Sequence, residues 1–206
     1  MATKSVFITS LFVVMMVFLS ACGSSGLTDA GNDVSGSDWK VADFTYTNQH
    51  GEPFGLSDLG GGVWLANFIF TNCDTVCSPM TAHVSKLQQQ LLDEGLSTPI
   101  VSFTVDPERD TPDVLKTFAE QFGADFSTWH FLTGYSFEEI KELSETSFKS
   151  PLAKPAEGTD QYTHGTWLYL IQSDHIIKTY NGVSDVPYDS IVEDVKVLSS
   201  QESEEK

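Results

Sequence analysis

The chain reads VWLANFIFTNCDTVCSPM from Val63 to Met80. The first eight residues are almost all apolar, which is typical of a strand buried on both faces of a sheet. Apolar residues then recur at helical spacing from Met80 until Gly95 ends the pattern. The segment therefore predicts a buried strand that leads directly into a helix, with Cys73 and Cys77 at the junction.

The chain on either side of this segment alternates between strand and helix patterns. A second buried strand is predicted over 100–105 and a third, short strand over 129–132. The late apolar runs 166–171 and 176–180 predict a hairpin. The other predicted elements are a strand over 41–47 that ends in a turn, and helices over 111–122, 136–148 and 188–198. This order predicts an α/β sandwich with a central mixed sheet flanked by helices.

The two cysteines at the junction are four residues apart. On a helix, side chains at this spacing share one face with Cβ atoms about 5–6 Å apart, whereas a disulfide needs about 3.5–4.5 Å. A modest shift would close the bridge, and the open dithiol leaves a gap that fits a thiophilic metal. Cys73 and Cys77 are therefore compatible with a redox disulfide, a two-thiolate metal site, or both in turn. A structural disulfide is the remaining alternative, although so short a bridge restrains the unfolded chain little.

The amino terminus has the features of an export signal. Lys4 precedes the apolar run Val6–Ala21, which is 16 residues long and shorter than the ~20 residues of a spanning helix. The run ends in Leu-Ser-Ala-Cys, and small residues before a cysteine resemble a bacterial lipobox. We therefore predict a signal peptide over 1–21, lipid attachment at Cys22, and a domain anchored on the extracytoplasmic face of the cell membrane. A plain signal anchor is the alternative.

Composition divides the rest of the chain. Residues 23–38 include four glycines, four serines and three aspartates, so we predict that 22–38 are the lipidated cysteine and a flexible tether. A domain over 39–199 and an acidic tail over 200–206 follow. The 206 residues have a formal charge of −18, which argues against nucleic acid as a partner because its recognition needs a basic face. The same charge opposes adsorption to anionic lipid, so the membrane is expected as a partner only through the lipid anchor.

Three motifs then point to a family. FTNC-x3-C begins at Phe70, SFTVDP occupies 102–107, and Thr163-His164 stands just before a predicted strand. In this order and at these distances they resemble the Sco (SenC) family, and the similarity extends over about residues 40–198. The resemblance implies a thioredoxin-like fold and the handling of copper, as Cu(I) or Cu(II), for assembly of the copper A centre of cytochrome c oxidase.

The resemblance also implies that Cys73, Cys77 and His164 are the copper ligands. Thiolates hold Cu(I) and an imidazole helps to hold Cu(II), so this donor set suits both ions. The commoner family pattern has proline after the first cysteine and directly after the second, where this chain has Asp74 and Ser78. The departure concerns the thiol pKa and the redox potential more than the ligand set.

Other residues near these motifs are interpreted as structural. His83 lies about 9 Å along the helix from Cys77 and points away from it. Met80 shares a helix face with apolar neighbours and is expected in the core. The segment DPERD over 106–110 is interpreted as a helix-entry loop with capping acids, and a role at the site is the alternative. The remaining histidines are expected in a turn, in a strand and at the far hairpin: His50, His130 and His175.

Two classes of function follow. The first is a metallochaperone that delivers copper to the copper A subunit of cytochrome c oxidase without turnover. The second is a thiol-disulfide oxidoreductase in which Cys73 and Cys77 exchange disulfides and keep the oxidase cysteines reduced. His164 favours the first class because disulfide exchange does not need it, and the two activities can alternate in one protein. A lipoprotein with an idle disulfide is the third alternative.

Overall fold

In the computed structural model, which describes residues 26–73 and 77–204, strands and helices alternate along most of the chain. The strands are β1 (Asn32–Asp33), β2 (Thr45–Thr47), β3 (Pro53–Gly55), β4 (Val63–Ile69), β5 (Ile100–Thr104), β6 (Trp129–Leu132), β7 (Trp167–Gln172) and β8 (His175–Asn181). The helices are α1 (Cys77–Asp93), α2 (Pro112–Gln121), α3 (Phe137–Thr146) and α4 (Tyr188–Glu204), with a 3-10 turn over Leu56–Leu59.

Six of these strands form one mixed sheet in the order β1-β8-β7-β4-β5-β6. Strands β4, β5 and β6 are parallel, whereas β7 is antiparallel to both β4 and β8. The carboxyl ends of β4, β5 and β6 therefore meet the amino end of β7 at one end of the sheet, which we call the site end. Strands β2 and β3 form a separate hairpin. The predicted mixed α/β architecture is confirmed.

Strand β4 lies in the middle of the core because both of its faces are covered. All seven of its residues are buried, and alternate side chains point to opposite faces. Trp64 and Phe68 pack in an aromatic layer beneath α3 and the β2-β3 hairpin, whereas Leu65 and Ile69 pack against α1, α2 and α4. This confirms that a strand buried on both faces precedes the cysteines.

Local sequence signals define where the helices begin. The Thr111 hydroxyl caps α2 by accepting a hydrogen bond from the Val114 amide, and a proline occupies the first turn. Ser136 and Glu139 form a capping box at the start of α3. The late hairpin also forms as predicted, with a two-residue connection between β7 and β8. These elements depend on residues close in sequence, and the sequence predicts them well.

The prediction of a flexible tether over 22–38 is wrong for residues 26–38. Asn32 and Asp33 form β1, which pairs with β8 opposite Thr179 and Lys178. The Val34 amide donates to a β8 carbonyl at 2.9 Å, and the Val34 side chain packs on the core. Residues 26–38 are therefore part of the folded domain, because a neighbouring strand supplies the backbone hydrogen bonds that their polar composition does not reveal.

A buried ion pair fixes the segment before β1. Lys178 and Asp194 contact at 2.7 Å with side chains that are 1% and 0% exposed. Asp194 also accepts hydrogen bonds from the Thr28 amide at 2.6 Å, from the Thr28 hydroxyl at 3.0 Å and from Tyr180 at 2.6 Å. Lys178 donates to the Thr28 carbonyl at 2.6 Å. These bonds satisfy charges that would be very unfavourable if buried alone. We call this group of four residues the N-terminal latch.

The carboxyl-terminal helix is longer than predicted. Helix α4 continues to Glu204, beyond 198 and into the segment predicted as an acidic tail. Within residues 26–73 and 77–204, every helix is too short or too polar to cross a membrane. The apolar run 6–21 and the lipidation residue Cys22 lie outside the described residues.

Candidate metal centre

Cys73 and Cys77 lie where the central strand gives way to a helix. Cys73 follows β4 at the site end, and Cys77 is the first described residue of α1. The Cys73 sulfur accepts a hydrogen bond from the Cys77 amide at 3.4 Å. In the structure both side chains are thiols. Cys77 is buried, whereas Cys73 is half-buried. This is the junction that the sequence predicts.

His164 faces Cys77 from the loop before β7. Its Nε2 lies 3.4 Å from the Cys77 sulfur, and its Nδ1 lies 2.8 Å from the Gly165 carbonyl oxygen. Because a carbonyl oxygen only accepts hydrogen bonds, Nδ1 is the donor in the contact with Gly165, and Nε2 is the ring nitrogen that faces the sulfur. Phe70 contacts the imidazole edge-on with ring centroids 5.7 Å apart. The structure therefore brings His164 to the cysteine helix in an orientation suited to a ligand.

The separation of Cys77 and His164 matches that of two ligands on one metal ion. Bonds from a first-row metal such as zinc are about 2.3 Å to sulfur and about 2.0 Å to nitrogen, so two such ligands at a tetrahedral angle are about 3.5 Å apart. The observed sulfur-to-nitrogen distance is 3.4 Å. The backbone carbonyl on Nδ1 is also the kind of outer partner that orients a metal-binding imidazole. A metal ion can therefore replace the thiol proton between these atoms with little movement.

Cys73 is not in the position of a third ligand. Within residues 26–73 and 77–204, no three histidine, cysteine, aspartate or glutamate side chains are grouped as ligands of one ion. The Cys73 sulfur is directed instead to the Cys77 amide. A three-ligand site therefore requires a shift of Cys73, whereas Cys77 and His164 already stand at ligand spacing.

The surroundings of Cys77 favour its protonated form. Burial raises the pKa of this thiol far above its ordinary value, and the hydrogen bond to Cys73 adds to the effect. A backbone hydrogen bond with Phe70 acts in the opposite direction, and the nearby Asp110 carboxyl raises the pKa slightly further. A metal ion that binds here must therefore displace a proton, as thiolate ligation generally requires.

Asp160 connects the loops that surround the site. One of its oxygens accepts hydrogen bonds from Asn72 at 2.5 Å and from Arg109 at 3.2 Å. Hydrogen bonds from Gln161, Asn72 and Arg109 hold the pKa of Asp160 below its ordinary value, so it is charged at neutral pH. Gln161 also donates to the Asn72 carbonyl at 3.0 Å. The loop that carries His164 is thereby fastened to the residue before the first cysteine and to the loop that follows β5.

Two buried carboxyls support the same loops. Asp110 accepts hydrogen bonds from the Thr71 amide at 3.1 Å and from its hydroxyl at 2.5 Å, and burial raises the pKa of Asp110. Tyr162 donates to Asp106 at 3.2 Å. The interpretation of these acids as helix caps is wrong, because Thr111 caps α2. They hold the cysteine loop and the histidine loop instead.

The supporting residues of the site are not evident from sequence. Asp160, Gln161 and Tyr162 belong to none of the recognised motifs, although they come shortly before His164. A polar run next to a ligand-bearing position is the one signal that could have found them. Their partners lie in two other loops, which a single sequence does not connect.

The remaining histidines and Met80 lie away from the site, as predicted. Met80 is fully buried in the core. Each other histidine has a different neighbour: Tyr188 for His83, Phe126 for His50, Phe54 for His130, and Asp38 and Asp174 for His175. His164 is therefore the histidine that the structure brings to the cysteines.

Asp160→Asn should weaken metal binding at this site by no more than about fivefold, because exposed ion pairs contribute little. The substitution keeps the shape of Asp160 but removes the charge that holds Arg109, so we expect a less rigid histidine loop. A competition titration against a chelator of known affinity measures the change. Glu157→Gln, an exposed acid in the same loop, is the matched control. A loss above a hundredfold for Asp160→Asn would instead place this carboxylate among the ligands.

The fold and the site together define a class. The chain is a thioredoxin-like domain that carries two thiols between its central strand and the following helix, with an imidazole facing them from the loop before an antiparallel strand. Comparison with known proteins gives the family. The SCO1/SenC family model matches residues 32–199, and this chain belongs to that family. The match begins inside the segment predicted as a tether, in agreement with the position of β1.

Individual relatives agree with this assignment. The SCO1 protein homolog of Bacillus subtilis is 46% identical over 188 residues, covering 91% of this chain and 94% of the relative. The crystal structure of a SCO1/SenC family lipoprotein from Bacillus anthracis is 45% identical with a TM-score of 0.77, covering 84% of this chain and 98% of that one. A structure of BsSco is 46% identical with a TM-score of 0.74, covering 84% of this chain and 99% of that one. BsSco is described as a member of the Sco family of cytochrome c oxidase assembly proteins, and it is reported with a disulfide switch.

A more distant structure shares the fold and contains a metal. The crystal structure of Arabidopsis thaliana ScoI, with copper bound, is 24% identical with a TM-score of 0.64, covering 77% of this chain and 98% of that one. At this identity the likeness shows the thioredoxin-like fold alone. Copper is thus known as a ligand within the Sco proteins.

Proposed function

We propose that this protein binds copper through Cys73, Cys77 and His164 and delivers it to the copper A site of cytochrome c oxidase. The observation that carries the proposal is the 3.4 Å contact between the Cys77 sulfur and His164 Nε2. Soft thiolates suit Cu(I), and the imidazole adds a donor suited to Cu(II). The copper-bound relative and the relative described as an oxidase assembly protein support the proposal.

A second activity, thiol-disulfide exchange, uses the same two cysteines. The Cys73 sulfur lies against the Cys77 amide, so a small movement would bring the sulfurs together. A relative of 46% identity is reported with a disulfide switch. In this alternative the pair keeps the cysteines of the oxidase subunit reduced by exchanging disulfides with them. His164 has no part in that chemistry.

Titration of the reduced protein with Cu(II) tests the proposal directly. We expect one equivalent to bind with an intense thiolate-to-copper charge-transfer band, because a thiolate bound to Cu(II) donates charge to the metal. Protein first oxidised to the Cys73–Cys77 disulfide should show no such band. Visible absorption measures both results. A reduced protein that gives no band, or the same spectrum after oxidation, would contradict copper binding by these thiols.

We also propose that lipid on Cys22 anchors the domain to the extracytoplasmic face of the cell membrane. The residues before Cys22 resemble a lipobox, and a relative of 45% identity is described as a lipoprotein. Two acyl chains of a lipoprotein would be needed for stable anchoring, because a single chain binds only weakly. Anchoring keeps the domain beside a membrane-bound oxidase.

Cys22→Ser should move the protein from the membrane fraction to a soluble or unprocessed form, because the sulfur that carries the lipid is lost. The purified domain should bind copper as before, since Cys22 precedes the folded unit. Fractionation with immunoblotting measures the first effect, and Cu(II) titration measures the second. Ser24→Ala, two residues further on, is the control. A fully processed Cys22→Ser protein that stays on the membrane would show that something other than lipid anchors it.

A further inference from the structure

The N-terminal latch shortens the connection between the lipid and the domain. Thr28 is fixed by Asp194 and Lys178, and Gly26 lies beside α4, since a Cβ built on Gly26 would be 3.3 Å from a Val197 methyl group. Four residue steps separate Cys22 from Gly26, and a fully extended chain covers at most about 14 Å in four steps. The connection therefore cannot exceed this length, whatever its conformation.

Helices α1 and α4 show which end of the domain this connection leaves. They run side by side in the same direction, because His83 in the first half of α1 contacts Tyr188 at the start of α4, and Glu94 just after α1 pairs with Lys196 at 2.8 Å further along α4. Cys77 begins α1 at the site end. Val197, next to Lys196, therefore lies at the opposite end of the domain, and the 17 residues of α1 separate the two ends by about 25 Å.

We propose that the lipid-anchored domain is held by the end opposite its metal site, so that it cannot stand on the bilayer with its site end facing the lipid. The inference rests on the proposed lipidation of Cys22. An inverted domain would place Gly26 about 25 Å above the membrane, which a connection of at most about 14 Å does not allow. The formal charge of −18 for the whole chain also opposes adsorption of the sides of the domain to anionic lipid.

This geometry limits the kind of partner that the site can serve. Three acids are exposed near the loops of the site end, Glu108, Asp113 and Glu157, together with the cation Arg109. A recipient must therefore present its metal site in a domain that projects from the bilayer. A recipient site buried at the level of the lipid headgroups would be out of reach.

Fluorescence quenching by nitroxide-labelled lipid headgroups tests the orientation. Single cysteines are introduced at Asp93, at the remote end of α1, or at Val114, beside the site end, in a lipidated full-length Cys73→Ser/Cys77→Ser protein. After labelling and reconstitution into vesicles of phosphatidylcholine and phosphatidylglycerol, we expect the Asp93 label to be quenched several times more strongly than the Val114 label. Equal quenching, or stronger quenching at Val114, would overturn the proposal.

A lengthened connection is the matched control. Twelve Gly and Ser residues inserted between Cys22 and Gly26 should remove most of the difference in quenching between the two labels. A difference that persists would show that the connection does not set the orientation.

An intact protein loaded with Cu(II) gives a second measurement, since the paramagnetic ion should leave fluorescent headgroups unquenched. If only copper binding failed, the quenching pattern would remain and the result would count against the proposed function. If the protein did not float with the vesicles, the result would contradict both the lipid anchor and this inference.

Discussion

His164→Ala should leave Cu(I) binding nearly intact and weaken Cu(II) binding by more than about a hundredfold. Loss of an outer partner of a metal ligand already costs up to about a hundredfold, and this variant removes a ligand. The two soft thiolates remain for Cu(I), whereas Cu(II) loses the nitrogen donor that stands 3.4 Å from the Cys77 sulfur. Competition titrations with chelators specific for each oxidation state measure the two affinities separately.

The controls for this result come from the same chain. His175→Ala removes another partly exposed histidine, at the far hairpin, and should change neither affinity. Cys73→Ser and Cys77→Ser should each abolish tight binding of both ions and any internal disulfide. Oxidase assembly in scarce copper then separates the two functions: a His164→Ala strain that assembles the enzyme at normal levels would contradict copper delivery and favour disulfide exchange.

Asp194→Ala should lower the free energy of unfolding by about 3–5 kcal/mol, because it leaves the Lys178 charge buried without its partner. The loss is a large fraction of the total stability of an ordinary domain, which is about 5–15 kcal/mol. It should also release residues 26–31, since Asp194 accepts hydrogen bonds from the amide and the hydroxyl of Thr28. Urea denaturation and amide hydrogen exchange measure the two effects.

Two further variants distinguish the loss of the buried ion pair from the general effect of a substitution in α4. Glu193→Ala changes the exposed neighbouring residue and should alter stability by less than about 0.5 kcal/mol. Lys178→Met should cost less than Asp194→Ala, because Asp194 keeps the hydrogen bonds from Thr28 and Tyr180. If Asp194→Ala unfolded no more easily than Glu193→Ala, the pair would not be holding the amino-terminal segment.

The amino-terminal segment is the part of the chain for which the sequence was most misleading. Gly, Ser and Asp between 23 and 38 indicate a flexible chain when read by composition, yet Thr28 and Asn32 are bonded into the domain. Composition reports how little apolar surface a segment can bury. It does not report that a buried carboxylate on α4 and an open edge on β8 supply partners for its backbone.

The candidate metal site shows the same contrast between what local sequence indicates and what long-range contacts decide. The FTNC-x3-C and Thr163-His164 motifs are enough to name the ligand candidates, because the positions of the residues in the motifs are themselves the signal. These motifs do not indicate the hydrogen bonds by which Asp160 joins the loops around the site. Its partners, Asn72 and Arg109, lie 88 and 51 residues away, and nothing in the local pattern indicates that three loops meet.

The sequence by itself determined the elements: the apolar run before Cys73, the helix after the cysteines, the late hairpin and the capping box at Ser136. These features arise from contacts between residues a few positions apart, where periodicity and turn chemistry decide the conformation. Only the tertiary structure decided that Thr28 lies on Asp194 and that His164 meets Cys77, 166 and 87 residues apart. A polar side chain can satisfy its hydrogen bonds with any suitable partner, so its choice depends on which groups the packed core brings within reach, and spacing along the chain does not encode that choice.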